Sequence, residues 1–191
     1  MASDLRTALH EAVNTLSNGG TLLYPADTIW GIGCDATNGE AVKKVAQLKD
    51  RSASKSYVCL VPNDGMLQRY VPDIPDVAWD LMDAATSPLT LVLPNVQGLA
   101  VEALAPDGSG AFRVVREGTT NRLLTAFGEP LISTSANISG QPFPRNKSEL
   151  DPRILNGVDY ALILPSEPPM TGKPSSIIKL GTGGEVKIIR N

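Results

Sequence analysis

Apolar residues recur at helical spacing near the start of the chain, where Leu5, Ala8, Leu9, Ala12, Val13 and Leu16 would share one face of a helix. His10 falls off that stripe and belongs on the surface. Asn18-Gly19-Gly20 supplies the stop, because glycine tolerates the left-handed conformation that ends helices. A short strand is predicted over 21–24, ended by Pro25. Thr37 with Glu40 makes a capping-box pattern that opens a helix through Leu48, with Val42, Val45 and Ala46 inward and Lys43 and Lys44 in solvent. Further strands are expected over 56–61, 89–93, 111–115, 131–133, 160–164, 176–180 and 185–189. Helices are expected over 76–85 and 120–127, the second capped by Gly128. Gly181-Thr182-Gly183-Gly184 would turn the last two strands into a hairpin.

Strands alternate with helices early and dominate late. That order predicts an α/β fold: a single domain over 1–191, built on a twisted mixed parallel/antiparallel sheet with flanking helices. The proline-rich stretch 165–174 reads as a mobile loop inside that domain.

Composition narrows the chemistry. With 191 residues, 42% of them hydrophobic, and a net charge of −3, the chain suits an ordinary globular protein rather than one wrapped in basic charge for nucleic acid. A Ser-His-Asp triad would have to use His10, the only histidine. Cys34 and Cys59 show no metal-ligand spacing and read as small core residues of a reducing compartment. Charges run through residues 1–13 and no apolar run reaches membrane length, so a cytoplasmic protein with no membrane association is expected.

Three polar clusters interrupt the apolar elements. Residues 24–33, Tyr-Pro-Ala-Asp-Thr-Ile-Trp-Gly-Ile-Gly, place hydroxyls and a carboxylate in a loop past a strand end, where α/β proteins bind ligands. The alternative is a plain turn with Asp27 capping its own backbone. Lys49, Arg51 and Lys55 gather three cations between a helix and a strand, suited either to a polyphosphate or to the helix C-terminal dipole. Residues 133–140, Ser-Thr-Ser-Ala-Asn-Ile-Ser-Gly, offer four hydroxyls and an amide, as phosphate donors or as a turn network. No base lies nearby in sequence to activate a serine, and no P-loop pattern occurs. Donors without a nucleophile suit adenylate transfer, in which the substrate attacks and the protein positions it and neutralises charge.

These stretches, with Pro174-Ser175-Ser176-Ile177-Ile178, resemble in order the motifs of the YrdC-type threonylcarbamoyl-AMP synthase family, in its short single-domain form, from about Leu22 to Arg190. The resemblance implies a deep positive cleft and a reaction of L-threonine, bicarbonate and ATP, normally with Mg2+, giving threonylcarbamoyl-AMP and pyrophosphate. It implies Thr28, Arg113, Ser133 and Ser175 at threonine, and Arg51, Lys55, Ser109, Ser135, Asn137, Phe143 and Arg190 at ATP, Phe143 through its backbone. Lys49, Arg51 and Lys55 would be the catalytic cations. A tRNA-modifying threonylcarbamoyltransferase complex is the implied partner, with at most weak direct tRNA binding.

Two other readings compete. One is a non-catalytic RNA-binding module, which the net negative charge and 5% aromatic content disfavour. The other is a carbamoyl-transfer role related to hydrogenase maturation, whose proteins carry additional metal-binding and acyl-phosphatase-like regions.

Overall fold

The computed structural model describes residues 2–50, 57–164 and 170–191, the side chains of residues 2 and 3 excepted. Helix α1 (Ala2–Ser17) buries Ala12 and Leu16, as its stripe requires. Strand β1 (Leu22–Pro25) then pairs antiparallel with β2 (Trp30–Asp35) in register Leu23↔Ile32. The stretch expected to be a loop is therefore a hairpin: Tyr24 and Pro25 lie in β1, and Trp30 to Gly33 in β2. Its turn closes with Ala26 N donating to Ile29 O at 3.3 Å.

Helix α2 (Gly39–Leu48) buries Ala41, Val42 and Val45. Its cap is Asn38 rather than Thr37, with the Asn38 side chain accepting from Glu40 N and Ala41 N. Thr37 is taken by Asp35, whose Oδ1 accepts from both Thr37 N and Oγ1, so a local turn wins over the capping box. Strand β3 (Val58–Val61) follows, then two helices, α3 (Asp64–Tyr70) and α4 (Asp76–Ala84). Next come β4 (Leu89–Leu93), β5 (Gly110–Val114), helix α5 (Gly118–Phe127) and β6 (Leu131–Ser135). Gly128 ends α5 at φ 82°, a left-handed conformation that glycine adopts without strain. A short helix α6 (Pro152–Gly157), capped by Asp151, precedes β7 (Tyr160–Ala161). That strand stops early because Ile163 N turns back to Ala161 O at 2.9 Å. Strands β8 (Ser176–Leu180) and β9 (Val186–Arg190) form the expected hairpin.

Among the described residues the strands make one sheet, ordered β7-β1-β2-β6-β3-β5-β4-β8-β9. Pairs β1/β7, β3/β5 and β4/β8 are parallel and the rest antiparallel, the mixed sheet that the element order implied. Alternate residues feed two apolar clusters. Leu22, Tyr24, Leu60 and Leu131 join α1 and α5, whereas Leu23, Ile32, Cys59 and Ile132 join the cluster that includes Val42, Val45, Leu67 and Ala78. Cys34 and Cys59 are buried and unbridged, and burial pushes the Cys59 thiol up to about 12.

Two glycines on β2 set up the site. A Cβ on Gly33 would lie 2.4 Å from Ile132 O and 3.2 Å from the Tyr24 ring, and one on Gly31 3.1 Å from that ring. The Tyr24 ring thus lies across a groove that only glycines leave open. Gly33→Ala has to move backbone, because its nearest neighbour is a carbonyl of the paired strand. We expect it to lower stability by about 2 kcal/mol, read as a fall in urea midpoint with an unchanged slope.

Candidate functional site

The sheet face that carries Tyr24 and Leu60 is covered by α1 and α5 at one end and opens at the other into a cavity of 460 Å³. Its wall comes from separate parts of the chain. The β1–β2 turn gives Ala26, Thr28 and Ile29, β5 gives Arg113, β6 gives Ser133 to Ser135, and the far side gives Phe143, Ser175 and Arg190. Register explains the serines: Ser133 pairs with Gly33 and Ser135 with Gly31, so each of these two serines sits opposite a glycine.

Tyr24 Oη donates to Ser133 Oγ at 2.6 Å. Burial raises the Tyr24 phenol well above its usual range, so it remains a neutral donor and leaves the Ser133 hydroxyl proton for the cavity. Ser175 Oγ lies 2.7 Å from Oγ1 of Thr90, which is fully buried in β4. The Ser175 carbonyl accepts both Nε (2.9 Å) and Nη2 (2.7 Å) of Arg190, so that guanidinium is anchored at the rim by its fork.

Arg113 is the buried cation of the wall, 5% exposed and held by Asp27. Nη2 donates to Oδ1 at 2.7 Å and Nη1 to Oδ2 at 3.3 Å, a two-pronged pair. Asp27 therefore does not cap its own turn. The turn is instead fixed from outside, with Thr171 N donating to Asp27 O and Gly172 N to Thr28 O, both at 2.9 Å.

Lys49 is 1% exposed at the C-cap of α2. Its ammonium donates to Ser135 O and, at 2.5 Å, to Asn137 O, beneath the loop after β6 rather than on the cavity wall. Ser139 N returns a bond to Lys49 O at 3.0 Å. Asn137 spends its Nδ2 on Ile138 O and Gln141 O, and its buried Oδ1 has no hydrogen-bond partner among the described residues. Lys49 and Asn137 thus shape the loop that presents Ser135.

Of the residues expected at a ligand, Thr28, Arg113, Ser133, Ser135, Phe143, Ser175 and Arg190 meet around this cavity. Ser109 does not line it: its hydroxyl is bound at 2.6 Å to Asp107, whose other oxygen takes Lys179 at 2.6 Å. Arg51 and Lys55 lie outside the described residues. Sequence reasoning missed Tyr24, Asp27 and Thr90 as structural partners of site residues. Thr90 had a signal, being one hydroxyl within an otherwise apolar strand, which when buried needs a partner.

The donor set does not fit a protein-held divalent ion. Among the described residues the cavity wall bears hydroxyls and two guanidiniums, and no three His, Cys, Asp or Glu side chains cluster to ligate a metal. None of the described helices is long and apolar enough to cross a membrane.

A model of the Sua5/YciO/YrdC family, described as "Telomere recombination", matches residues 14–191. The chain belongs to the Sua5/YciO/YrdC family. Among family members, the threonylcarbamoyl-AMP synthase of Pseudoalteromonas translucida (strain TAC 125) is 30% identical over 184 residues, covering 95% of this chain and 97% of that one. The enzyme of the same name from Xanthomonas campestris pv. campestris (strain B100) is 33% identical over 165 residues, covering 81% and 84%. A solved Sua5 from P. abyssi, the H234A/Y235A variant, superposes with TM-score 0.85 at 24% identity over 95% of this chain. This chain spans 55% of that Sua5's length, so the superposition establishes the family fold alone. The same P. abyssi protein has also been solved with L-threonine, with TM-score 0.77 at 22% identity, over 90% of this chain and 50% of that one.

Proposed function

We propose that this protein is an enzyme, an L-threonylcarbamoyladenylate synthase, forming threonylcarbamoyl-AMP and pyrophosphate from L-threonine, bicarbonate and ATP. The observation that carries the reading is the cavity itself: one buried guanidinium among hydroxyls, in a chain 30–33% identical to synthases of that name. P. abyssi Sua5, of the same fold, was solved with threonine. Arg113 would take the threonine carboxylate, with Thr28, Ser133 and Ser175 around the rest of the amino acid. Ser135, the Phe143 backbone and Arg190 would face the nucleotide, with Arg51 and Lys55 from the adjoining basic segment.

The chemistry needs no nucleophile from the protein. The threonine ammonium loses one proton to solvent, and the free amine bonds to the carbon of carbon dioxide, which bicarbonate supplies by loss of hydroxide; the hydroxide takes the second nitrogen proton as water, leaving a carbamate. A carbamate oxygen then bonds to the α-phosphorus of ATP while the bond to the β-phosphate bridging oxygen breaks, and pyrophosphate leaves. That makes the enzyme a nucleotidyltransferase in which fixed cations and donors offset charge building on the phosphates. Mg2+ would enter with ATP. The product would pass to a tRNA-modifying threonylcarbamoyltransferase complex for threonylcarbamoyladenosine synthesis, with weak direct tRNA binding at most.

Purified protein with ATP and magnesium is expected to release pyrophosphate, and not phosphate, only when threonine and bicarbonate are both supplied. Serine should be poorer by roughly 10–200-fold, because it lacks the methyl that a fitted pocket reads. Pyrophosphate release that ignores threonine sinks the mechanism.

A further inference from the structure

The buried guanidinium on the wall of the cavity is already engaged in a salt bridge, and the way that pair is built assigns a task to Asp27. Arg113 is 5% exposed, whereas its partner Asp27 is 42% exposed. Among the described residues, no carboxylate lines the cavity wall beside the two guanidiniums. Asp27 lies in sequence between the wall residues Ala26 and Thr28 and occupies the fork of Arg113 that an incoming carboxylate would need. Its carbonyl is held by Thr171 N, and that of Thr28 by Gly172 N, while its half-exposed side chain has room to turn.

We propose that Asp27 is the acceptor for the ammonium group of the amino-acid substrate, and that it takes up this role by exchanging partners. Asp27 neutralises Arg113 in the structure. When the ligand carboxylate takes the guanidinium, Asp27 turns to the ligand ammonium a few ångströms away. The inference rests on the threonine reading above.

The exchange balances charge only for a ligand that carries both groups. One protein–protein ion pair becomes two protein–ligand pairs. A carboxylate without an amine would gain one ion pair with Arg113 only by breaking the one that Asp27 makes. An amine without a carboxylate would find Asp27 still held by Arg113. Each half-ligand meets a penalty that the zwitterion avoids, so the salt bridge acts as a filter for α-amino acids over hydroxy acids of the same shape. Asp27 also gives the buried Arg113 a counter-charge of its own.

The test is calorimetric binding of L-threonine and of 3-hydroxybutyrate, which is threonine lacking its amine, to wild type and to Asp27→Asn. An ATP analogue that cannot be cleaved between the α- and β-phosphates is present throughout. Wild type should prefer threonine by roughly 100-fold. In Asp27→Asn the preference should shrink to about tenfold or less, since an amide oxygen still accepts a neutral hydrogen bond. Part of the change should be a gain: 3-hydroxybutyrate should bind the variant more tightly than wild type, because no internal carboxylate competes for Arg113. General damage to the site does not produce a gain. A variant that keeps the wild-type preference, or loses both ligands equally, overturns the proposal and leaves the synthase reading standing. Wild type that binds no threonine overturns both. Should Asp27→Asn fail to fold, wild type alone still decides, since equal affinities for the two ligands would refute the filter.

Discussion

Replacing Arg113 with alanine should raise the threonine requirement by roughly 30–1000-fold, equivalent to about 2–4 kcal/mol, while the apparent KM for ATP moves little. The asymmetry follows from burial. Arg113 lies on β5 at 5% exposure, so a carboxylate bound to it is shielded from water and the lost pair is worth far more than a surface ion pair. Stability should suffer much less than affinity. The partner left behind, Asp27, is 42% exposed and water can solvate it, whereas the substitution removes the buried charge itself. Steady-state kinetics with each substrate varied in turn, together with a thermal melt, separate the two effects. Equal rises in both apparent constants would place Arg113 outside the threonine subsite.

Lys49→Met should damage both stability and turnover, for a reason that differs from the loss of a phosphate contact. The side chain is 1% exposed and its ammonium binds the carbonyls of Ser135 and Asn137. Methionine fills much of the same space but donates nothing. Ser135 O keeps a second donor in Asn137 N at 2.9 Å, so the Asn137 carbonyl bears most of the loss. Removing a buried charge recovers some desolvation energy, yet charge-assisted bonds and a stranded carbonyl outweigh it, leaving a net loss of roughly 2–3 kcal/mol. For a chain of this size that corresponds to a fall in Tm of roughly 4–12 °C. Turnover should drop at least about a hundredfold, because a loop displaced by an ångström misplaces Ser135 against the nucleotide. Full retention of Tm with loss of activity would mean that Lys49 acts on ligand directly rather than through the loop.

Local pattern alone specified much of this molecule. The stripe of α1, the apolar run of β4 between Pro88 and Pro94, α5 with Gly128 behind it, and the β8–β9 hairpin are each decided by residues within one or two turns of chain. The mixed sheet follows from the order of those elements. Four quoted motifs were enough to place the chain in its family, and seven of the expected ligand residues converge on one cavity. Helices α3 and α6 escaped because seven and six residues are too few to show a period. Strand β2 escaped because glycines at alternate positions erased its hydrophobic alternation, the same glycines that make room for Tyr24.

What only the tertiary structure decided is which groups spend their charge on one another. Asp27 and Arg113 are 86 residues apart, as are Lys49 and Ser135, and no local signal joins either pair. Read along the chain, Asp27 was a turn residue or a ligand contact, and Lys49 a phosphate contact or a charge on the helix dipole. In the fold Asp27 guards a guanidinium and Lys49 props a loop. The physical reason is that burial turns a weak, screened surface charge into one that must find a partner, and which partner lies within reach depends on strand order and register rather than on neighbours in sequence.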